Sequence, residues 1–153
     1  MTDSPADLLS LLIARASARP DRVAYRYLGD TAGPAALTTS GLEQSARAVA
    51  ARLRDDLPRG ARALLVYPPG LEFIEGFFGC LGAGAIAVPA PPLNPLKPKL
   101  SLQRIAAIVE SARPSLALTL SSTLATVAPV VAEIPAFAGV RWIATDTIDR
   151  AAA

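Results

Sequence analysis

The sequence contains no histidine, and that absence removes the Ser-His-Asp and Cys-His nucleophile systems together with every histidine-ligated metal site. Cysteine is almost missing too. The one thiol, Cys80, can form neither an intrachain disulfide nor a thiolate cluster, and its place in the run Phe77-Phe78-Gly79-Cys80-Leu81 reads as a buried, inert side chain in a protein of the reducing cytoplasm. Charge is sparse: 18% of residues are charged, and 15 basic against 13 acidic residues leave a net +2. No basic run is longer than Lys97 and Lys99 around Pro98, so the chain lacks the concentrated positive face with which a nucleic-acid binder displaces counterions. The opening MTDSPADLL has no basic segment ahead of an apolar one and does not read as a secretory signal. There is no GxxxxGK loop followed by Ser or Thr to cradle a triphosphate.

The one candidate for a membrane-spanning segment is the uncharged run at residues 76–96. Its second half holds Pro89, Pro91, Pro92 and Pro95, which deny a helix its backbone bonds, and Gly82 and Gly84 close the helical pattern earlier. The run is therefore expected to divide into a buried helix, a buried strand and a Pro-rich loop, with no transmembrane span.

What is present is ample core material: 52% apolar residues in a chain of 153 suit one folded domain. Ser4-Pro5-Ala6-Asp7 has the form of a helix start, with Ser4 as cap and Asp7 reaching back to it, and Leu8, Leu9, Leu12, Ile13 and Ala16 continue on one helical face to about residue 18. Residues 23–28 and 36–38 flank a turn-prone segment at 29–34 and predict a small hairpin. Ser40-Gly41-Leu42-Glu43 predicts a second capping box, ahead of a stripe of Leu42, Ala46, Val49, Ala50 and Leu53. From residue 61 short apolar runs at 63–67, 86–89, 116–119 and 141–144 alternate with helical patterns at about 71–82, 101–112 and 122–134. That alternation predicts an α/β fold with a parallel sheet behind an N-terminal helix and small hairpin, with Pro129 kinking or dividing the last helix. The chain is expected to fall into a helix-hairpin-helix segment at 1–60, strand-helix repeats at 61–144 and a tail at 145–153.

Open parallel sheets bind ligands at the carboxyl ends of their strands, which directs attention to two loops. In Tyr67-Pro68-Pro69-Gly70 two prolines fix the chain and Gly70 offers a backbone conformation closed to other residues; Pro68, Pro69 and Gly70 form either a packing turn or a rigid substrate-positioning one. The Pro-rich stretch 89–98 suits a spacer, a lid base or a docking surface. Glu72 and Glu75, three apart on a helix and opposite Phe73 and Phe77, read as a solvated face rather than an acid/base pair. Gly79-Cys80-Leu81-Gly82-Ala83-Gly84 has the spacing GxxGxG at a helix end, not the dinucleotide fingerprint, and predicts close packing of helix on sheet. No catalytic residue, cofactor-binding residue or metal ligand emerges from these patterns.

The segment ALLVYPPGLEFIEGFFGCLGAGAIAVPAPPLNP at 63–95 resembles fatty acyl-AMP ligases, members of the adenylate-forming acyl ligase superfamily that also holds the acyl-CoA synthetases. SLLIARASARPDRVAYRYL, LTTSGLEQSARAVAARL, IAAIVESARPSLALT and VRWIATDTI extend the resemblance in the family's order over essentially the whole chain. It implies a ligase that uses ATP with magnesium to convert a fatty acid to acyl-AMP, then passes the acyl group to the phosphopantetheine of an acyl carrier protein. The family's phosphate-binding loop, ribose-binding Asp and adenylating Lys match no position here. The resemblance therefore implies the N-terminal subdomain only, inactive alone and working with the remainder of the ligase. Where family members carry more Arg, the loop after Val88 has Asn94, Lys97 and Lys99. A different reading of the same residues is a standalone, non-catalytic module that docks a split ligase or a carrier protein.

Overall fold

The computed structural model describes residues 7–29 and 35–152. Helix α1 (Leu8–Ala18) starts where Asp7 accepts a hydrogen bond from the Ser10 N–H at 2.7 Å. The predicted start at Ser4 and Pro5 lies outside the described residues, and Asp7 is itself the cap instead of reaching back to one. Strands β1 (Val23–Tyr27) and β2 (Ala35–Thr38) pair antiparallel as the predicted hairpin; residues 30–34 of its turn also lie outside the described residues.

Helix α2 (Thr39–Asp56) is capped by Thr38, whose hydroxyl accepts from the Gly41 N–H at 3.1 Å. The predicted cap, Ser40, instead donates its hydroxyl to the Pro20 carbonyl at 2.9 Å, and the Thr39 hydroxyl donates to the same carbonyl at 3.1 Å. Both hydroxyls are thus spent fastening α2 to the turn after α1, which moves the cap two residues earlier.

Four parallel strands follow: β3 (Arg62–Leu65), β4 (Ile86–Pro89), β5 (Leu116–Thr119) and β6 (Arg141–Ala144), in the order β4-β3-β5-β6. The crossovers carry α3 (Glu72–Ala83), α4 (Pro98–Ala112) and α5 (Ser121–Val131). Alternate residues of the strands point to opposite faces: Ala63, Leu65, Leu116, Leu118 and Ile143 pack on α2 and α3, whereas Leu64, Val66 and Ala117 pack on α4 and α5. Burial on both faces explains why the central strands read as unbroken apolar runs. The chain moves outward from β3 to β4 and then returns across β3 to β5, so the switch in direction lies between β3 and β5. Helix α5 runs through Pro129 without being divided there and ends at Val131, three residues earlier than predicted. The segment after β6 forms short 3-10 turns at Thr145–Thr147 and Arg150–Ala152.

The uncharged run 76–96 is shared among α3, β4 and the loop after it, and no described helix is long and apolar enough to cross a membrane. Its glycines serve a different contact from the one predicted. A Cβ on Gly79 would lie 2.4 Å from Val49 Cγ1, and one on Gly82 would lie 2.9 Å from Ala50 Cβ, so the small residues let α3 approach helix α2 rather than the sheet. Gly84 then closes α3 in the left-handed region at φ 70°, where the Ala85 N–H bonds the Cys80 carbonyl at 2.9 Å and turns the chain directly into β4.

Alanine is the better helix former by about 1 kcal/mol, so an unpacked Gly79 would gain stability on substitution. Here the clash with Val49 Cβ at 2.6 Å involves a branched side chain held in the core. Gly79→Ala is expected to lower unfolding stability by about 1–3 kcal/mol, the usual cost of overpacking. Chemical denaturation of the variant beside the parent reads the sign: a gain would show that α2 and α3 can separate freely.

Candidate functional site

At the carboxyl ends of β3, β5 and β6 the chain carries Tyr67, Thr119, Ser121, Thr145 and Asp146, contributed by segments far apart in sequence. Backbone pairing continues past β3, since the Val66 N–H bonds the Leu118 carbonyl at 2.9 Å, and this carries Tyr67 into the interior at 4% exposure. Its ring meets Phe73 edge-on, centroids 6.3 Å apart, and fills the space that Gly76 leaves open: a Cβ there would stand 2.5 Å from the Tyr67 hydroxyl. The Tyr67 and Thr145 hydroxyls are 3.0 Å apart, and Thr145 in turn donates to the Thr119 carbonyl at 3.3 Å, which makes Tyr67 the donor. Burial pushes the Tyr67 phenol well above its ordinary range, outweighing the hydrogen bond with Thr145, so it stays protonated and keeps that role. The Thr119 hydroxyl, fully buried, donates to the Val66 carbonyl at 2.6 Å. This chain of hydroxyls joins three strands across the switch point.

Asp146 supplies what α5 lacks. No side chain at the helix's own start caps it, and Asp146 accepts from the Ser121 N–H at 2.8 Å and from the Ser121 hydroxyl at 2.5 Å. Burial pushes the Asp146 carboxyl up, but the two Ser121 hydrogen bonds together pull harder, and it sits below the usual carboxylate range.

Next to it is a cleft of about 110 Å³ among α2, α3 and the final turns, lined on its polar side by Ser45, Glu72, Glu75, Asp146 and Arg150. Glu75 was expected on a solvated face, yet it is only 7% exposed and pairs with the half-exposed Arg150, Oε1 to guanidinium 3.2 Å. The final turn folds back over this part of α3 and covers it, and a partner 75 residues downstream leaves no periodic trace in the sequence. The Ser45 hydroxyl beside it is buried without a hydrogen-bond partner.

Pro68 and Gly70 are half-buried and Pro69 is exposed at the rim of β3. The prediction that Gly70 occupies a conformation closed to other residues fails: its φ is not among the positive values, and a Cβ would meet chiefly the movable carboxylate end of Glu72. The turn brings no polar side chain to the strand ends. Nor do the neighbours form a catalytic set. Burial pushes the Cys80 thiol up to about 12, and the thiol is fully enclosed between α3 and the sheet. Among the described residues no group of three or more His, Cys, Asp and Glu side chains is arranged to hold a metal ion.

The AMP-binding enzyme family matches residues 12–151. A medium-chain fatty acid ligase acting on acyl carrier protein, JamA of Moorena producens, is 38% identical over 146 residues, covering 94% of this chain and 25% of that protein. A long-chain fatty acid–AMP ligase of Mycobacterium tuberculosis is 34% identical over 145 residues, covering 92% of this chain and 24% of its own length. Among solved structures, the fatty acyl-adenylate ligase of Legionella pneumophila, crystallised with acyl adenylate and pyrophosphate, superposes with a TM-score of 0.81 at 28% identity, covering 94% of this chain and 24% of that one. The chain thus spans about a quarter of the length of the relatives it matches.

Two outcomes follow from the geometry. Arg150→Ala leaves the buried Glu75 carboxylate without its cation and is expected to destabilise by about 1–2 kcal/mol, discounted because Arg150 is half in water, whereas Gly70→Val should stay within about 0.5 kcal/mol. Thermal unfolding of the two variants checks this ranking, and a Gly70→Val loss larger than that of Arg150→Ala would reverse it. The second outcome concerns acid. Because the Asp146 carboxyl is depressed in the fold, its cap stabilises above the unfolded value of 3.8 and is lost as pH falls through the lower folded value. Asp146→Asn should therefore flatten the stability profile of the parent in the region below about pH 4 while changing its slope little near neutrality; parallel profiles across the acid range would show that the carboxylate contributes nothing there.

Proposed function

This chain belongs to the AMP-binding enzyme family, and from that premise we propose that it forms the N-terminal scaffold of a cytoplasmic fatty acid-activating ligase. In the proposed reaction a fatty acid carboxylate attacks the α-phosphorus of ATP, releasing pyrophosphate and giving acyl-AMP. The phosphopantetheine thiol of an acyl carrier protein then attacks the acyl carbon and releases AMP. The observation that carries the reading is the alignment of 94% of this chain with one quarter of a fatty acid ligase that acts on acyl carrier protein.

The residues present do not fit the nucleotide or its magnesium. Asp146 is engaged by Ser121 and Glu75 by Arg150, and the described residues offer no converging set of metal ligands. No step is therefore assigned to this chain's own side chains, and under the proposal ATP and magnesium are held by other parts of the ligase. Its contribution is positional. The hydroxyl chain from Tyr67 to Thr119 holds the strand ends in register, and Pro68, Pro69 and Gly70 present a stiff turn at the rim of β3 against which further parts of the ligase can seat.

The purified chain is expected to show no fatty acid-dependent exchange between ATP and pyrophosphate. Exchange should appear when the chain replaces the corresponding first quarter of the Moorena ligase. Fatty acid-dependent exchange by the chain alone, surviving repurification, would overturn the scaffold reading; a folded chimera with no exchange would favour a separate binding module.

A further inference from the structure

We propose that the groove between α1, β1 and the start of α2 binds a single-chain carboxylate amphiphile of the fatty-acid type. The groove encloses about 370 Å³, and Leu12, Leu42 and Phe78 supply an apolar floor. Leu8, Val23 and Tyr25 continue that surface to the rim, at 47%, 41% and 39% exposure, large values for side chains of this size in a folded chain.

Charge in the groove has one sign. Arg15, Arg19 and Arg22 line it, and no acidic side chain is among the described residues that do. None of the three guanidiniums takes part in the ion pairs found among the described residues. Three solvated guanidiniums beside an apolar trough complement a ligand with an anionic head and an apolar tail: the forked N–H groups suit a carboxylate, and the trough removes the tail from water. Size narrows the class. The volume lies near the lower end of the ~300–1,000 Å³ typical of small-molecule pockets, which accommodates one alkyl chain and not a two-chain lipid. The hairpin makes the site possible, because β1 is exposed along its length and stands off α1 instead of sealing its apolar stripe.

The proposal concerns binding by this chain itself and stands or falls separately from the ligase assignment. The test is calorimetric titration of the purified chain with decanoate below its micelle threshold, with 1-decanol as the uncharged control. Saturable one-to-one binding of decanoate is expected, at least tenfold tighter than that of decanol. The double variant Arg15→Gln/Arg22→Gln should weaken decanoate at least tenfold while leaving decanol unchanged. Leu8→Glu, at an exposed wall position, should weaken decanoate by repulsion. Far-UV circular dichroism and the thermal midpoint confirm that each variant is folded. Absence of saturable binding by the folded parent would overturn the proposal, as would equal affinities for decanoate and decanol or an undiminished affinity in the folded double arginine variant, both of which mark oily adsorption without a carboxylate site.

Discussion

The close contact of α2 with α3 is the constraint on which the rest of the structure depends. Gly79 and Gly82 leave no side chain at two points where α3 comes closest to α2, and Val49 and Ala50 occupy the space. The two helices then cover one face of the sheet as a single layer, burying Leu53, Ala63, Leu65 and Cys80 between them and the strands. The same contact fixes where α3 ends. Arg54 of α2 donates to the Gly82 carbonyl at 2.6 Å, the Gly60 N–H bonds the Gly84 carbonyl at 2.8 Å, and β4 emerges already in register, with the Ile86 N–H on the Ala61 carbonyl at 2.8 Å. A helix-helix distance thus becomes a strand register.

The carboxyl ends of the strands show how far that order extends. In an open α/β sheet these ends are the ordinary place for a ligand, and their polar groups are usually free to meet one. Here the hydroxyls of Tyr67, Thr145 and Thr119 are occupied with one another and with backbone carbonyls, and Asp146 is occupied with the first turn of α5. Thr119, Thr145 and Asp146 each pair with a backbone group, and Tyr67 donates to the Thr145 hydroxyl. Chemistry of the polar residues is therefore converted into alignment of three strands, and the carboxylate of Glu75, buried at this end, is held by a guanidinium.

The parts of this fold that were legible in the sequence are those written in local patterns. The central strand β5, buried on both faces, reads as a short apolar run and falls on the residues the pattern indicates, as do the partly covered edge strands β4 and β6. Helix starts were less legible because hydroxyl residues cluster there: Thr38, Thr39 and Ser40 can all cap, and tertiary bonds to Pro20 decide which does. The stripe on α1 was legible as apolar but not as half exposed, since a hydrophobic period says which residues share a face and nothing about what covers it. Glu75 failed for the opposite reason. Its helix period places it away from Phe73 and Phe77, but Arg150 arrives from the far end of the chain to enclose it. Gly70 shows that a glycine after two prolines need not be there for its backbone freedom.

A scaffold of this kind is separable from chemistry for a physical reason. Reacting groups must keep some of their valence unsatisfied until substrate arrives, which makes them poor structural elements, while groups that stitch a sheet must be satisfied at all times. The polar residues at the strand ends of this chain are almost all of the second kind; the Ser45 hydroxyl is the buried exception among the described residues, together with the Trp142 indole N–H on the other face. On the proposed reading, the quarter of a ligase represented here supplies a rigid sheet whose register is set by α2 and α3, and the groups that bind ATP and transfer the acyl chain are carried where they can remain unpaired. The outermost strands agree with that division. Ile86, at the edge formed by β4, is half exposed, and Leu96 and Leu100 beyond it project apolar surface. An edge of this kind is a natural seat for further structure, since it offers unpaired backbone groups beside side chains that gain by leaving water.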